Sequence, residues 1–151
     1  MISLSTGGFA GILCVGSLKE VFQNGVMHIR SGVQPADADA AEIGELIAVV
    51  TPGGVSFTAG AAFGINFKDT ITKSISQSDA EDVWLGEYLI KSNMGWFRIY
   101  DNAFVEGAST TACRIDGSIG ISRSDMIVES TATTVGGSLA LPGFQLNFSI
   151  C

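Results

Sequence analysis

Apolar and polar residues alternate with a period of two through most of the chain, and that period predicts strands. Val26-Met27-His28-Ile29-Arg30 reads as one strand, and Leu46 to Thr51 reads as another, ended by Pro52-Gly53-Gly54. The alternation resumes in Val55-Ser56-Phe57-Thr58, so a hairpin is expected there. Phe63, Ile65 and Phe67 alternate with Gly64, Asn66 and Lys68, and Ile71 and Ile75 follow in a Thr/Ser-rich stretch, as half-buried strands do. In Met94 to Tyr100 aromatic residues crowd both faces, which predicts a central strand covered on both sides or lying at a subunit contact. Ala112 to Ile121 is a strand whose Asp116-Gly117 pair reads as a tight turn or bulge, and Met126-Ile127-Val128 is a shorter one. After the turn Pro142-Gly143, Phe144, Leu146, Phe148 and Ile150 point one way and Gln145, Asn147 and Ser149 the other.

Helical signals are few. Ser17-Leu18-Lys19-Glu20 is a Ser-x-x-Glu capping box, Leu18, Val21 and Phe22 share one helical face, and Asn24-Gly25 is a stop signal. A second box, Ser78 to Glu81, leads into Val83-Trp84-Leu85 and Gly86, too short for more than one turn. Residues 1–16 show no clear period and are rich in Gly and Ser, so they read as an arm or an irregular first strand whose order depends on contacts. The expectation is an all-β, jelly-roll-like antiparallel β-sandwich over residues 17–151, with an N-terminal arm over 1–16 and one short helix.

Composition narrows the function classes. Apolar residues make up 46% of the chain and charged residues 15%, which suits a packed core. Net charge is −7 and the eight Lys and Arg are scattered singly, which argues against nucleic acid and against an anionic membrane surface as partners. No Lys or Arg precedes the apolar run of residues 1–16, and Ile12-Leu13 are too large for a cleavage signal before Cys14. A protein made in the cytosol is expected.

Candidate chemistry is sparse. His28 is the single histidine, without a G-x-S-x-G context or a partner set for Cys14 or Cys113; it is expected to be structural or superficial, and replaceable at little cost. One His with Cys14, Cys113 and Cys151 does not make a zinc set, and the bland reading of the cysteines is two part-buried thiols and one terminal thiol. Asp37, Asp39 and Glu42 lack calcium-loop spacing and read as solvated loop carboxylates, and Asp79, Glu81 and Asp82 as a solvated helix start. The pairs Gly7-Gly8, Gly53-Gly54 and Gly136-Gly137 are turn glycines rather than phosphate cradles. Trp84, Tyr88, Trp96 and Tyr100 suggest a sugar-stacking platform, set against the commoner core packing. No catalytic residue, cofactor or metal is expected.

Several segments carry a resemblance. Ser5-Thr6-Gly7, Lys19 to Pro35, Ala36 to Glu42, Gly95 to Ala103 and Arg114 to Ser118 resemble a family of small structural proteins of tailed-bacteriophage virions. At Leu85 to Lys91, where the family pattern suggests a Gly/Thr-rich turn, this chain departs from it. The resemblance implies a virion component, by analogy a capsid decoration or cement protein that bridges major capsid subunits and neighbouring copies of itself. A tail or head-to-tail part is the next choice, and a glycan-binding adhesin the third. A cement protein needs rigid shape and apolar contact area. The contact candidates are Ile2, Leu4, Phe9, Ile12, Leu13 and Val15 in the arm, and Cys151 at the other end.

Overall fold

The computed structural model describes residues 1–68, 74–77 and 83–147. Within them run β1 (Ser3–Leu4), α1 (Thr6–Cys14), α2 (Leu18–Val21), β2 (Val26–Ser31), β3 (Leu46–Pro52), β4 (Ser74–Ser76) and β5 (Trp84–Glu87). They are followed by β6 (Met94–Tyr100), β7 (Arg114–Gly120), β8 (Met126–Ile127), β9 (Ser138–Leu141) and β10 (Gln145–Asn147). The fold is all-β and mostly antiparallel, a sandwich-like arrangement of a main sheet in the order β1-β7-β6-β2-β3-β5-β9 and a small sheet pairing β10 with β4. The short β8 adds to β7 in parallel.

The aromatic-rich β6 lies between β2 and β7, and both of its faces are buried, as its sequence predicts. One face is apolar. Met27, Ile29, Phe97, Ile99 and Ile115 pack there with Phe22, Ile65, Phe67, Trp84, Phe144 and Leu146, all less than a tenth exposed. Phe97 meets Phe144 edge-on with ring centroids 5.7 Å apart, and Trp84 bridges Phe144 and Phe67 at 5.4 and 5.6 Å. These contacts close the small sheet over the main one.

The opposite face is polar and also covered. Register places His28 opposite Arg98 and Arg98 opposite Asp116, so one row of ionisable side chains crosses three strands. Burying such a row is expensive unless every charge is paired. Arg98 forks onto Asp116, with Nε to Oδ1 and Nη2 to Oδ2 both at 2.7 Å, and both residues are fully buried. Its Nη1 donates to Glu42 Oε1 at 3.0 Å and to the Ala40 carbonyl at 2.9 Å. Glu42 also accepts from the Tyr100 hydroxyl at 2.8 Å and from the Gly107 N–H at 2.8 Å. Arg114 donates to the Val105 carbonyl. The loops spanning 32–45 and 101–113 are therefore pinned over this face by its charges.

Several sequence expectations change. Residues 1–16 hold a two-residue strand and a nine-residue helix, so the described chain has two helices rather than one. Residues 55–58 form no strand: Val55 is exposed, and β3 pairs instead with β2 and β5. Ile65 and Phe67 are buried but make only isolated bridges, and Phe63 is partly exposed. Trp84–Glu87 is a strand, not a helical turn, because β3 and β9 flank it with partners. Asp116-Gly117 lies inside β7; a Cβ at Gly117 would stand 2.3 Å from the Phe97 ring, so the glycine clears an aromatic rather than making a turn. The Ser17 capping box is formed as expected, and Asn24 adopts φ 56° at the stop. The box at Ser78, the carboxylates Asp79, Glu81 and Asp82, and Ile71, Phe148, Ile150 and Cys151 lie outside the described residues.

Candidate interaction surface

α1 has the sequence TGGFAGILC, which intrinsic propensity disfavours, since each helical glycine costs about 1 kcal/mol relative to alanine. Three contacts offset that cost at its start. Ser5 is the N-cap: its Oγ accepts from Gly8 N at 3.0 Å and from Arg114 N at 2.8 Å, and donates to the Ala112 carbonyl at 2.7 Å. Asp39 takes the Thr6 N–H at 2.8 Å and the Thr6 hydroxyl at 2.5 Å. The Cys113 thiol donates to the Gly7 carbonyl at 3.3 Å.

The glycines are the inner face of this helix. Gly7, Gly8 and Gly11 are buried, and a Cβ would stand 2.2 Å from the Thr111 carbonyl oxygen at Gly7, 2.7 Å from Leu4 at Gly8 and 3.1 Å from Val21 at Gly11. Close backbone approach thus replaces side-chain interdigitation, and Gly7-Gly8 is a packing pair rather than a turn.

The consequence is a helix that turns its larger apolar side chains outward. Thr6, Phe9, Ala10, Leu13 and Cys14 fall at i, i+3, i+4, i+7 and i+8, the spacing of a stripe that ordinarily faces a core, and all five are exposed. Phe9 is 58% exposed and Leu13 81%, and Val15, which caps the helix, is 80% exposed. No charged residue occurs before Lys19.

The contact candidates therefore divide. Phe9 and Leu13 share the outward face, Val15 is exposed at the helix end on the glycine side, and Ile2 and Leu4 pack partly buried against the chain's own core. Ile12 is half-buried. Sequence reasoning missed Thr6, Ala10 and Cys14 as members of the stripe and Asp39 as the anchor of the helix. A 3.6-residue period was present from Thr6 to Cys14, masked by glycines that usually signal turns.

The remaining candidates fall into the interior. His28 is 5% exposed, edge-on to Tyr100 at 5.0 Å and near Phe104 at 5.1 Å. Burial, with Arg30 adding to it, lowers its pKa to about 4, so it is a neutral packing residue and not a superficial one. Glu42 is likewise no solvated loop carboxylate. Burial raises its pKa, but the Gly107 N–H, the Tyr100 hydroxyl and Arg98 outweigh that and bring it down to about 2. Trp84, Trp96 and Tyr100 are at most 1% exposed, so they present no stacking platform. Among the described residues no group of three or more His, Cys, Asp or Glu is placed to hold a metal ion. An open groove of about 560 Å³ beside Met1, Ile2, Val33 and Pro35 has no ionisable side chain in its lining. No described helix is long and apolar enough to cross a membrane.

Compared with protein-family models, with curated proteins and with solved structures, the chain matches none.

Proposed function

We propose that this chain is a non-enzymatic structural protein of a tailed-phage virion, most directly a capsid decoration protein that acts through protein–protein contact. The observation that carries the contact function is the outward apolar face of α1. A helix that turns its glycines inward and Phe9 and Leu13 to solvent leaves an apolar patch of the kind that marks a contact site. The phage setting rests on the resemblance of the Ser5-Thr6-Gly7, Lys19 to Pro35 and Gly95 to Ala103 segments.

The residues behind that resemblance have a common role in the fold, which supports a structural reading. Ser5 and Gly7 seat α1, Glu42 and Arg98 bind a loop to the sheet, and Asp116 neutralises Arg98. Three of the four aromatics behind the sugar-binding alternative, Trp84, Trp96 and Tyr100, are buried in the core. Binding of purified protein to capsids assembled without it tests the proposal. Saturable binding near one-to-one with the major capsid protein is expected, and location on the tail alone, or turnover of a glycan, would overturn it.

A further inference from the structure

We infer that the Asn24-Gly25 pair is a one-way modification site, a deamidation centre that the fold holds unreactive until the segment spanning 64–66 lifts off the start of β2. The only co-reactant is water. The Gly25 backbone nitrogen bonds to the Asn24 side-chain carbon Cγ, and its proton leaves with the side-chain amide nitrogen as ammonia. Water then opens the succinimide ring at one carbonyl or the other, leaving aspartate or isoaspartate at position 24. An asparagine is most open to this chemistry when glycine follows it, because no side chain hinders the attacking nitrogen. Asn24-Gly25 is the single Asn-Gly pair in the sequence.

Packing demands both residues, so the reactive pair comes with the fold. Asn24 follows α2 with φ 56°, a left-handed conformation that glycine and asparagine adopt most readily. Glycine at that position would lack the side chain that pairs with Asn66. At Gly25 a Cβ would stand 2.3 Å from the Tyr100 carbonyl oxygen, so only glycine fits beside the end of β6.

Both reacting groups are tied down. The Gly25 N–H donates to the Ile65 carbonyl at 3.1 Å, and the Ile65 N–H returns the bond to the Gly25 carbonyl at 2.8 Å. Gly25 is buried, which keeps solvent bases from its proton. The Asn24 side-chain Oδ1 accepts from Asn66 Nδ2 at 3.2 Å, and the Asn24 N–H donates to Asn66 Oδ1 at 2.9 Å. Asn66 Nδ2 also donates to the Gly64 carbonyl at 3.0 Å, which fixes the partner in turn. Attack therefore requires the Gly25–Ile65 bridge and the Asn24–Asn66 pair to open together. Ile65 belongs to the core and is fully buried, so that opening is a local unfolding event. Isoaspartate would route the main chain through an extra methylene just ahead of Gly25, where the backbone has no slack, so the bridge would not close again.

Peptide mapping by mass spectrometry, on purified chain aged in mildly alkaline buffer with and without urea, is the test, scored as amide-to-acid conversion at position 24. Conversion is expected to be at least about 100-fold slower in the folded than in the unfolded chain, because the reaction follows the population of the open form. Asn66→Ala deletes the side-chain half of the latch and should speed conversion of the folded chain at least about tenfold, at an unchanged circular dichroism spectrum. If Asn66→Ala does not fold, the wild-type rate at stepped urea below the unfolding transition decides instead, and it should rise with urea. The isolated isoaspartyl form should exchange its Gly25 and Ile65 amides faster than the unreacted chain. Equal conversion with and without urea, no conversion in urea, or a folded Asn66→Ala variant as slow as wild type overturns the inference. So does a rate that stays flat across the stepped urea, or an isoaspartyl form with unchanged exchange.

Discussion

Replacing Asp116 by alanine removes the carboxylate that both fork nitrogens of Arg98 grip at 2.7 Å, in a place where neither residue touches solvent. Arg98 would keep one carboxylate, Glu42, and the Ala40 carbonyl. Its Nε and Nη2 would face a cavity. Breaking a buried ion pair from one side costs about 3–5 kcal/mol, because the remaining charge stays desolvated. For a chain of this length each kcal/mol lowers Tm by about 2–4 °C, so Asp116→Ala should lower it by roughly 6–20 °C. Urea unfolding should show the same loss as a lower midpoint with little change in slope. The double variant Arg98→Met/Asp116→Leu removes both charges and should recover much of that stability, since well-packed apolar substitutes for a buried pair are often neutral. A loss under about 1 kcal/mol for Asp116→Ala, or a double variant worse than the sum of the singles, would refute the view that this pair is desolvated and mutually dependent.

Other outcomes follow from the same contacts. Gly7→Ala should detach α1 from β7, because its Cβ would meet the Thr111 carbonyl at 2.2 Å; limited proteolysis should then cut within residues 1–16 first, and an unchanged cleavage pattern would contradict the packing. His28 titrates near 4 in the fold against 6.5 for an exposed histidine, so the unfolded chain takes up the proton first as pH falls. Stability should thus decline from about pH 6.5 to about pH 4, by about 3 kcal/mol in all, and His28→Phe should flatten that limb in urea titrations at stepped pH. Glu42, depressed to about 2, contributes stability that is present above about pH 4.5 and lost as pH falls through 2; Glu42→Gln should remove that dependence and loosen the contact between the loops spanning 32–45 and 101–113, seen as faster amide exchange at Gly107.

Where periodicity and packing coincide, the sequence is a good guide. Met94–Tyr100 announces a strand covered on both faces, and the Ser17 capping box announces α2, because each signal is local and the tertiary structure agrees with it. The same rules fail where long-range partners decide. Val55 to Thr58 alternates like a strand but pairs with no strand among the described residues, while Trp84–Glu87 pairs on both sides despite a helix-start signal before it. The charged row on the inner polar face is invisible in sequence because Glu42, Arg98 and Asp116 are far apart along the chain, and only register brings them together. α1 is the most instructive miss. Its glycines read as flexibility, yet they are the close-packing face that frees Phe9 and Leu13 to point outward.

The central claim is that the outward face of α1 is a working contact surface in a virion. Phe9→Ser with Leu13→Asp removes two side chains that are mostly exposed in the isolated chain, so folding stability should fall by only about 1–2 kcal/mol, the worth of their already buried fractions. Each is worth about 1.5–3 kcal/mol if fully buried on docking, so their exposed fractions together represent about 2–4 kcal/mol, or on the order of 30- to 1,000-fold in affinity. The direct measurement is co-sedimentation of wild-type and doubly substituted protein with capsids assembled without it, scored as copies per major capsid protein. The account predicts near-stoichiometric occupancy for the wild type and a loss of at least tenfold in affinity for the variant at unchanged fold. Equal binding by the two proteins, or no binding by either, would contradict it.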